Sequence, residues 1–308
     1  MTTDDALRIQ GVAYGAVALV VAFGAAALPA LAAMPTTTEI LVVAALVLVL
    51  GVPHGAFDVL WAKRTLGLSG VKRWLVFGLA YWAAAALVVA VWAFAPILFL
   101  AVFLIASAAH FSGDPEGHAA LGTRAAAGMA PLVAPTLLHE EAVARLFGLL
   151  VGPEAGALVA GGLATLAWPV VLLVVGAVVW ETHRDRGRTA FEVGATATLA
   201  LLAPPLVAFA VYFCLMHSAR HVLRTARAAG TTSPATLVAI AAAPMVGTLA
   251  LGGAAWALLA EAALDARTMQ VLFVGLAALT APHMALVEPV RARGWGFPSR
   301  VRATLEEG

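Results

Sequence analysis

Charge, cysteine and lysine are all scarce in this chain of 308 residues. Charged side chains make up 11% against 62% hydrophobic ones, and the mean hydropathy is +0.96, outside the range of ordinary soluble domains. The single cysteine, Cys214, excludes an intrachain disulfide, and within an apolar run it acts as a small hydrophobe. The only lysines, Lys63 and Lys72, flank one loop, which excludes a Schiff base to a carbonyl ligand inside a helix. Net charge is +1, with the basic residues scattered over short links rather than gathered into a stripe, so no nucleic acid is implied as a partner. Low-complexity tails, Ser/Pro/Gly-rich linkers and soluble-sized insertions are missing too, so residues 1–308 read as a single integral-membrane domain.

What fills the chain is a succession of apolar runs joined by short polar links. The expected fold is all-α, a polytopic transmembrane bundle of about eight to ten helices. The first span covers residues 11 to 34 and the second Ile40 to Leu60; the link after it, with Lys63, Arg64, Lys72 and Arg73, marks the cytoplasmic side. Spans from Trp74 to Phe94 and from Pro96 to His110 follow. Ala120 to Leu138 is just long enough to cross, while His139 to Leu150 mixes Glu140, Glu141 and Arg145 with apolar residues and reads as interfacial. After Ala155 to Trp180, the halves Ala190 to Ala203 and Leu206 to His221 are divided by Pro204-Pro205, which cannot continue a straight helix. Two crossings there put Arg220, Arg224 and Arg227 on the side of the other basic links. Spans at 234 to 259 and 269 to 288 complete the bundle, with both termini inside.

Three apolar runs end in the same polar chemistry. The first carries Pro53-His54-Gly-Ala-Phe-Asp58, the second His110-Phe-Ser-Gly-Asp114 and the third His217-Ser-Ala-Arg-His221. An ionisable group in hydrocarbon costs at least ~2.5 kcal/mol near the bilayer centre, so such residues face the protein interior and tend to have a function. Histidines four apart on a helix project from one face, so His217 and His221 can turn onto one ion. Topology places His54, His110, His217, His221 and His283 alike at cytoplasmic helix ends, and convergence at one depth is what a shared site requires.

Four neutral imidazoles suit iron, zinc or copper, and spacing alone does not choose among them. Asp58 and Asp114 are placed to accept the outer N–H of a ligating histidine, fixing its tautomer. His283, in Thr280-Ala-Pro-His283-Met-Ala, echoes Pro53-His54-Gly-Ala and reads as a supporting residue beside the ligands or in a substrate pocket. Phe57, Phe111, Tyr212 and Phe213 flank the histidines; each is a candidate for lining the pocket, although bundle packing alone accounts for any one of them. His118, His139 and His183 read as interfacial. A b-type haem electron carrier would also use membrane histidines, but two of the four on one helical turn fit a single ion better than the two faces of a porphyrin. A divalent-metal transporter would share the ion site.

At these motifs the chain resembles the Brp/Blh family of membrane-bound β-carotene 15,15′-dioxygenases. Its members carry a Pro-His-Gly-Ala-x-Asp, a His-Phe-x-x-Asp and a His-x-x-x-His segment in this order. Phe57 stands where a leucine is common, and Ser112-Gly113 fills the variable pair. The resemblance implies a non-haem Fe(II) ion held by His54, His110, His217 and His221. It also implies cleavage of the central double bond of all-trans β-carotene by O2 into two molecules of all-trans-retinal. Expected partners are a carotenoid drawn from the bilayer, O2 and membrane lipids; the expected location is the cell inner membrane, with the metal site towards the cytoplasmic side. A hydrocarbon substrate offers no charge to grip and needs a long apolar tunnel past an open metal position.

Overall fold

The structure is a computed structural model that describes residues 3–28, 36–115, 118–230 and 233–292. Among these residues eleven helices and no strand occur: α1 (Thr3–Ala27), α2 (Thr37–Leu66), α3 (Gly70–Phe94), α4 (Pro96–Phe111), α5 (Leu121–Val133), α6 (Thr136–Val151), α7 (Pro153–His183), α8 (Gly187–Leu202), α9 (Pro205–Ala229), α10 (Pro234–Leu258) and α11 (Leu264–Ala292). Seven of them, α1, α2, α3, α7, α9, α10 and α11, are long and apolar enough to cross a membrane, and α4 is a shorter apolar helix. The protein is therefore an α-helical, multi-pass membrane bundle. The end of the first expected span, residues 29–34, and Arg293, Arg300 and Arg302 lie outside the described residues.

Helix boundaries follow local chemistry. Ser69 and Gly67, the latter left-handed at φ 59°, separate α2 from α3, and Pro96 opens α4. Extended backbone at Ala203 precedes Pro204-Pro205, so α8 and α9 are separate helices as the proline pair requires. One crossing differs from the sequence reading. The 120–138 stretch is broken at Ala134-Pro135, so α5 has only 13 residues and is not among the seven candidate spans, and the 139–150 stretch continues α6 through a kink at His139. Val143, Leu146 and Leu150 are buried, so this helix belongs to the core and packs along α7 rather than lying at an interface. Its charged residues share one outer face, leaving the apolar face free to pack.

The central core draws on α1, α2, α4, α6, α8, α9 and α11. In contrast, α3 and α10 each bury a single residue, Ala85 and Ala241, and turn leucines and valines such as Leu79 and Val238 outwards. Fully buried positions are rich in alanine, among them Ala18, Ala22, Ala126, Ala130, Ala160 and Ala167. Small side chains let helices approach closely where lipid provides no hydrophobic drive to association.

Candidate metal centre

Two of the motif histidines, His54 and His217, sit in irregular turns of their helices. In α2 a π turn over Val47–Gly51 runs into a 3-10 stretch over Val52–Phe57. Pro53 has no N–H to give the α ladder, and Gly51 leaves room for the neighbouring helix, since a Cβ there would meet the Phe213 ring at 2.5 Å. The Gly51 carbonyl faces His54 Nδ1 at 2.6 Å. In α9 a second π turn spans Tyr212–Ser218 and contains His217; such turns recur at functional sites. His110 ends α4, where turn bonds from Gly113 N to His110 O and from Asp114 N to Phe111 O fold Asp114 back under the bundle.

The three motifs meet. The ligand nitrogens of His54, His110 and His217 lie within 4.8 Å of one another, all buried. Ring centroids are 5.1 Å apart for His54 and His217, and 4.7 Å apart for His110 and His217. His221 stands beside them, its ring 5.5 Å from His54. Rings this close leave no gap for a porphyrin. Sequence reasoning put His283 at the edge of the site; the structure brings its ring to 5.3 Å from His54, 5.1 Å from His110 and 5.1 Å from His221.

Outer nitrogens have acceptors, but the carboxylates serve partners distant in sequence. Asp114 takes His217, with Nδ1 at 3.0 Å from Oδ1, rather than His110 one turn before it. Asp58 takes His283, with Nδ1 at 2.6 Å from Oδ1, rather than His54. His110 Nδ1 instead meets Glu288 Oε1 at 2.9 Å, and Glu288 is tied to Arg291 at 2.5 Å. Sequence reasoning missed Glu288, although a carboxylate in the apolar run of α11 was itself a signal. Beyond each acceptor stands a further donor: Tyr81 gives its hydroxyl to Asp58 Oδ2 at 2.8 Å and Tyr212 gives its own to Asp114 Oδ2 at 2.6 Å.

The inner nitrogens fit a metal. Nε2 of His110, His217 and His283 is buried and has no hydrogen-bond partner among the described residues. A buried polar atom left unpaired costs about 1–3 kcal/mol, and several facing one another are explained by an ion that binds them all. Since a carboxylate only accepts, the Nδ1 atoms carry the protons and Nε2 keeps its lone pair. Asp114, in the loop after α4, is held below the ordinary carboxylate range: burial pushes it up, but the His217 ring, the Tyr212 hydroxyl and the Arg224 guanidinium outweigh that.

The Asp114 loop is clamped from α9. Arg220 bonds the Asp114 carbonyl at 3.0 Å and forms a fully buried bidentate pair with Glu192 of α8 at 2.8 and 2.7 Å. Arg224 bonds the Gly113 and Asp114 carbonyls, each at 2.9 Å. His118 and His183 are exposed, and the half-buried His139 faces the Leu201 carbonyl at 3.0 Å; none joins the cluster.

A cavity of about 370 Å³ reaches the histidines from the apolar interior. Leu100, Phe103, Leu104, Phe147, Phe209 and Phe273 line it, and His54, His110, His217 and His283 are among its polar lining residues. Of the four aromatic residues proposed for a pocket, Phe111 and Phe213 line this cavity. Phe57 does not, because it packs against Ala56 and Ala241, and neither does Tyr212, whose hydroxyl turns it towards Asp114.

Comparison with known proteins agrees with these features. Residues 45–290 match the family described as "Beta-carotene 15,15'-dioxygenase". A protein of that name from an uncultured marine bacterium, 66A03, is 30% identical over 266 residues, covering 79% of this chain and 91% of the relative. A "Probable beta-carotene 15,15'-dioxygenase Blh" from Halobacterium salinarum is 32% identical over 314 residues, 87% of this chain and 89% of the relative. No solved structure matches. A family match across all three histidine motifs, together with two relatives aligned over most of their length, places the chain in the β-carotene 15,15′-dioxygenase family of carotenoid-cleaving enzymes.

Proposed function

We propose that this protein cleaves all-trans β-carotene at its central 15,15′ double bond with O2, giving two molecules of all-trans-retinal, and that a ferrous ion held by His54, His110, His217 and His221 is its cofactor. One carbon–carbon double bond breaks and each of its carbons gains one oxygen atom, so both atoms of O2 are used. The observation that carries the reading is the largely apolar cavity onto which His54, His110, His217 and His283 open, the buried Nε2 of the last three having no hydrogen-bond partner among the described residues. An uncharged polyene gains nothing from ionic contacts and is bound by such walls.

The bound ion would supply the site at which dioxygen is activated. The chain's own residues prepare that site. Gly51, Glu288 and Asp114 hold the Nδ1 protons of His54, His110 and His217, which fixes each ring and makes Nε2 the better donor. Leu100, Leu104, Phe147 and Phe273 exclude water from the polyene and hold it against the histidine wall. The site is further proposed to lie towards the cytoplasmic side of the cell inner membrane, which predicts that tags in the 63–73 link report from the cytoplasm.

Expressing the chain in cells that make β-carotene, with analysis of the apocarotenoids formed, tests the reaction; retinal as sole product is expected, and longer apocarotenals would indicate cleavage at another bond. Purified protein should carry about one iron per chain, and alanine at His54, His110, His217 or His221 should remove both iron and product. Metal flux across vesicles without carotenoid turnover would favour a transporter instead.

A further inference from the structure

We propose that His283 is itself a ligand of the ion, a fifth imidazole supplied by α11, with Asp58 and Tyr81 as its positioning residues. The inference rests on the metal reading above and extends it to residues outside the three motifs.

Three observations converge. Asp58 Oδ1 lies 2.6 Å from His283 Nδ1, and Asp58 Oδ2 receives the Tyr81 hydroxyl at 2.8 Å. Both carboxylate oxygens are thus engaged away from the ion, the imidazole proton is fixed on Nδ1, and the lone pair is left on Nε2. That Nε2 is buried and has no hydrogen-bond partner among the described residues. Its ring stands perpendicular to those of His54 and His110, at 90° to each, with centroids 5.3 and 5.1 Å away.

Two other roles account for less. As a cavity-lining residue, His283 would direct an unpaired acceptor at a hydrocarbon, the least compensated arrangement for a polar atom. As a support for another ligand, its outward nitrogen would bond that ligand; instead it bonds a carboxylate, which is the arrangement of a metal-binding histidine and its outer partner. His283 approaches His54 and His110, two of the three rings whose nitrogens already converge, whereas His221 approaches His54 and His283. A ligand set read from sequence as His54, His110, His217 and His221 therefore gains His283.

The test uses the full chain purified in detergent, stripped of metal and titrated anaerobically with ferrous iron against a competing chelator. Wild type, His54→Ala, His283→Ala, His283→Gly and Asp58→Asn are compared, and the His283→Gly protein is titrated again with imidazole in the buffer. The expected result is a loss of iron affinity in His283→Ala as large as in His54→Ala, and a loss of about 10- to 100-fold in Asp58→Asn. Added imidazole should restore iron to His283→Gly, which a purely structural histidine would not show. Wild-type affinity in His283→Ala, beside loss in His54→Ala, overturns the fifth ligand and leaves the metal site standing. No iron bound by wild type overturns both. Should the alanine and glycine variants fail to elute as folded protein, His283→Gln decides: it fills the space without the imidazole, and wild-type iron affinity there overturns the proposal.

Discussion

Asparagine at position 114 should weaken ferrous-iron binding by about 10- to 100-fold without abolishing it, the usual consequence of altering a ligand's outer partner. The magnitude follows from what the substitution keeps. Arg220 and Arg224 grip the backbone carbonyl of residue 114, so the loop stays in place whatever its side chain. An asparagine oxygen at the Oδ2 place, 3.2 Å from His217 Nδ1 and 2.6 Å from the Tyr212 hydroxyl, can still accept from both, but without the negative charge. The predicted loss corresponds to about 1.4–2.7 kcal/mol, close to the ~1.5–3 kcal/mol of one hydrogen bond to a charged group. Alanine would do more, because the buried Tyr212 hydroxyl, 2.6 Å from Asp114 Oδ2, would also lose its acceptor and stability would fall with it. Asparagine is therefore the informative variant, measured by chelator competition beside His217→Ala, with retinal yield as second readout. Affinity unchanged within about twofold would refute the orienting role of the carboxylate. Loss as complete as in His217→Ala would mean that Asp114 coordinates the ion itself.

Three further expectations concern the scaffold and cavity. Glu192→Leu leaves the buried Arg220 charge unpaired and should cost roughly 3–5 kcal/mol, whereas the double variant Glu192→Leu, Arg220→Met recovers most of it; equal thermal denaturation of single variant and wild type would contradict this. Gly128→Ala places a Cβ 2.1 Å from the Ala108 carbonyl, two residues before His110, so lower thermal stability and lower iron occupancy should appear together. Leu104→Trp projects bulk into the cavity and should suppress carotenoid cleavage while iron content stays at the wild-type level; a parallel loss of iron would show that the cavity and the metal site are not separable.

The sequence alone determined the fold class and the heart of the site. Apolar runs of this length admit only helices in a membrane, and a histidine ending such a run is costly enough to need a reason. His54, His110 and His217 were legible in that way, as were Asp58 and Asp114 as acceptors. Which acid serves which histidine was not: Asp58 lies one turn beyond His54 yet holds His283, a partner 225 residues away, and Asp114 holds His217, 103 residues away. Local spacing cannot report this, because the partner is selected by how helices rotate and cross once packed. The π turns in α2 and α9 also shift the facing of residues that an ideal α-helix would place elsewhere. The histidine that Glu288 serves, the Glu192 pair and the cavity lining became visible only once the helices had packed. Tertiary packing decided them because burial leaves each polar group to find its partner in three dimensions, with no water to substitute.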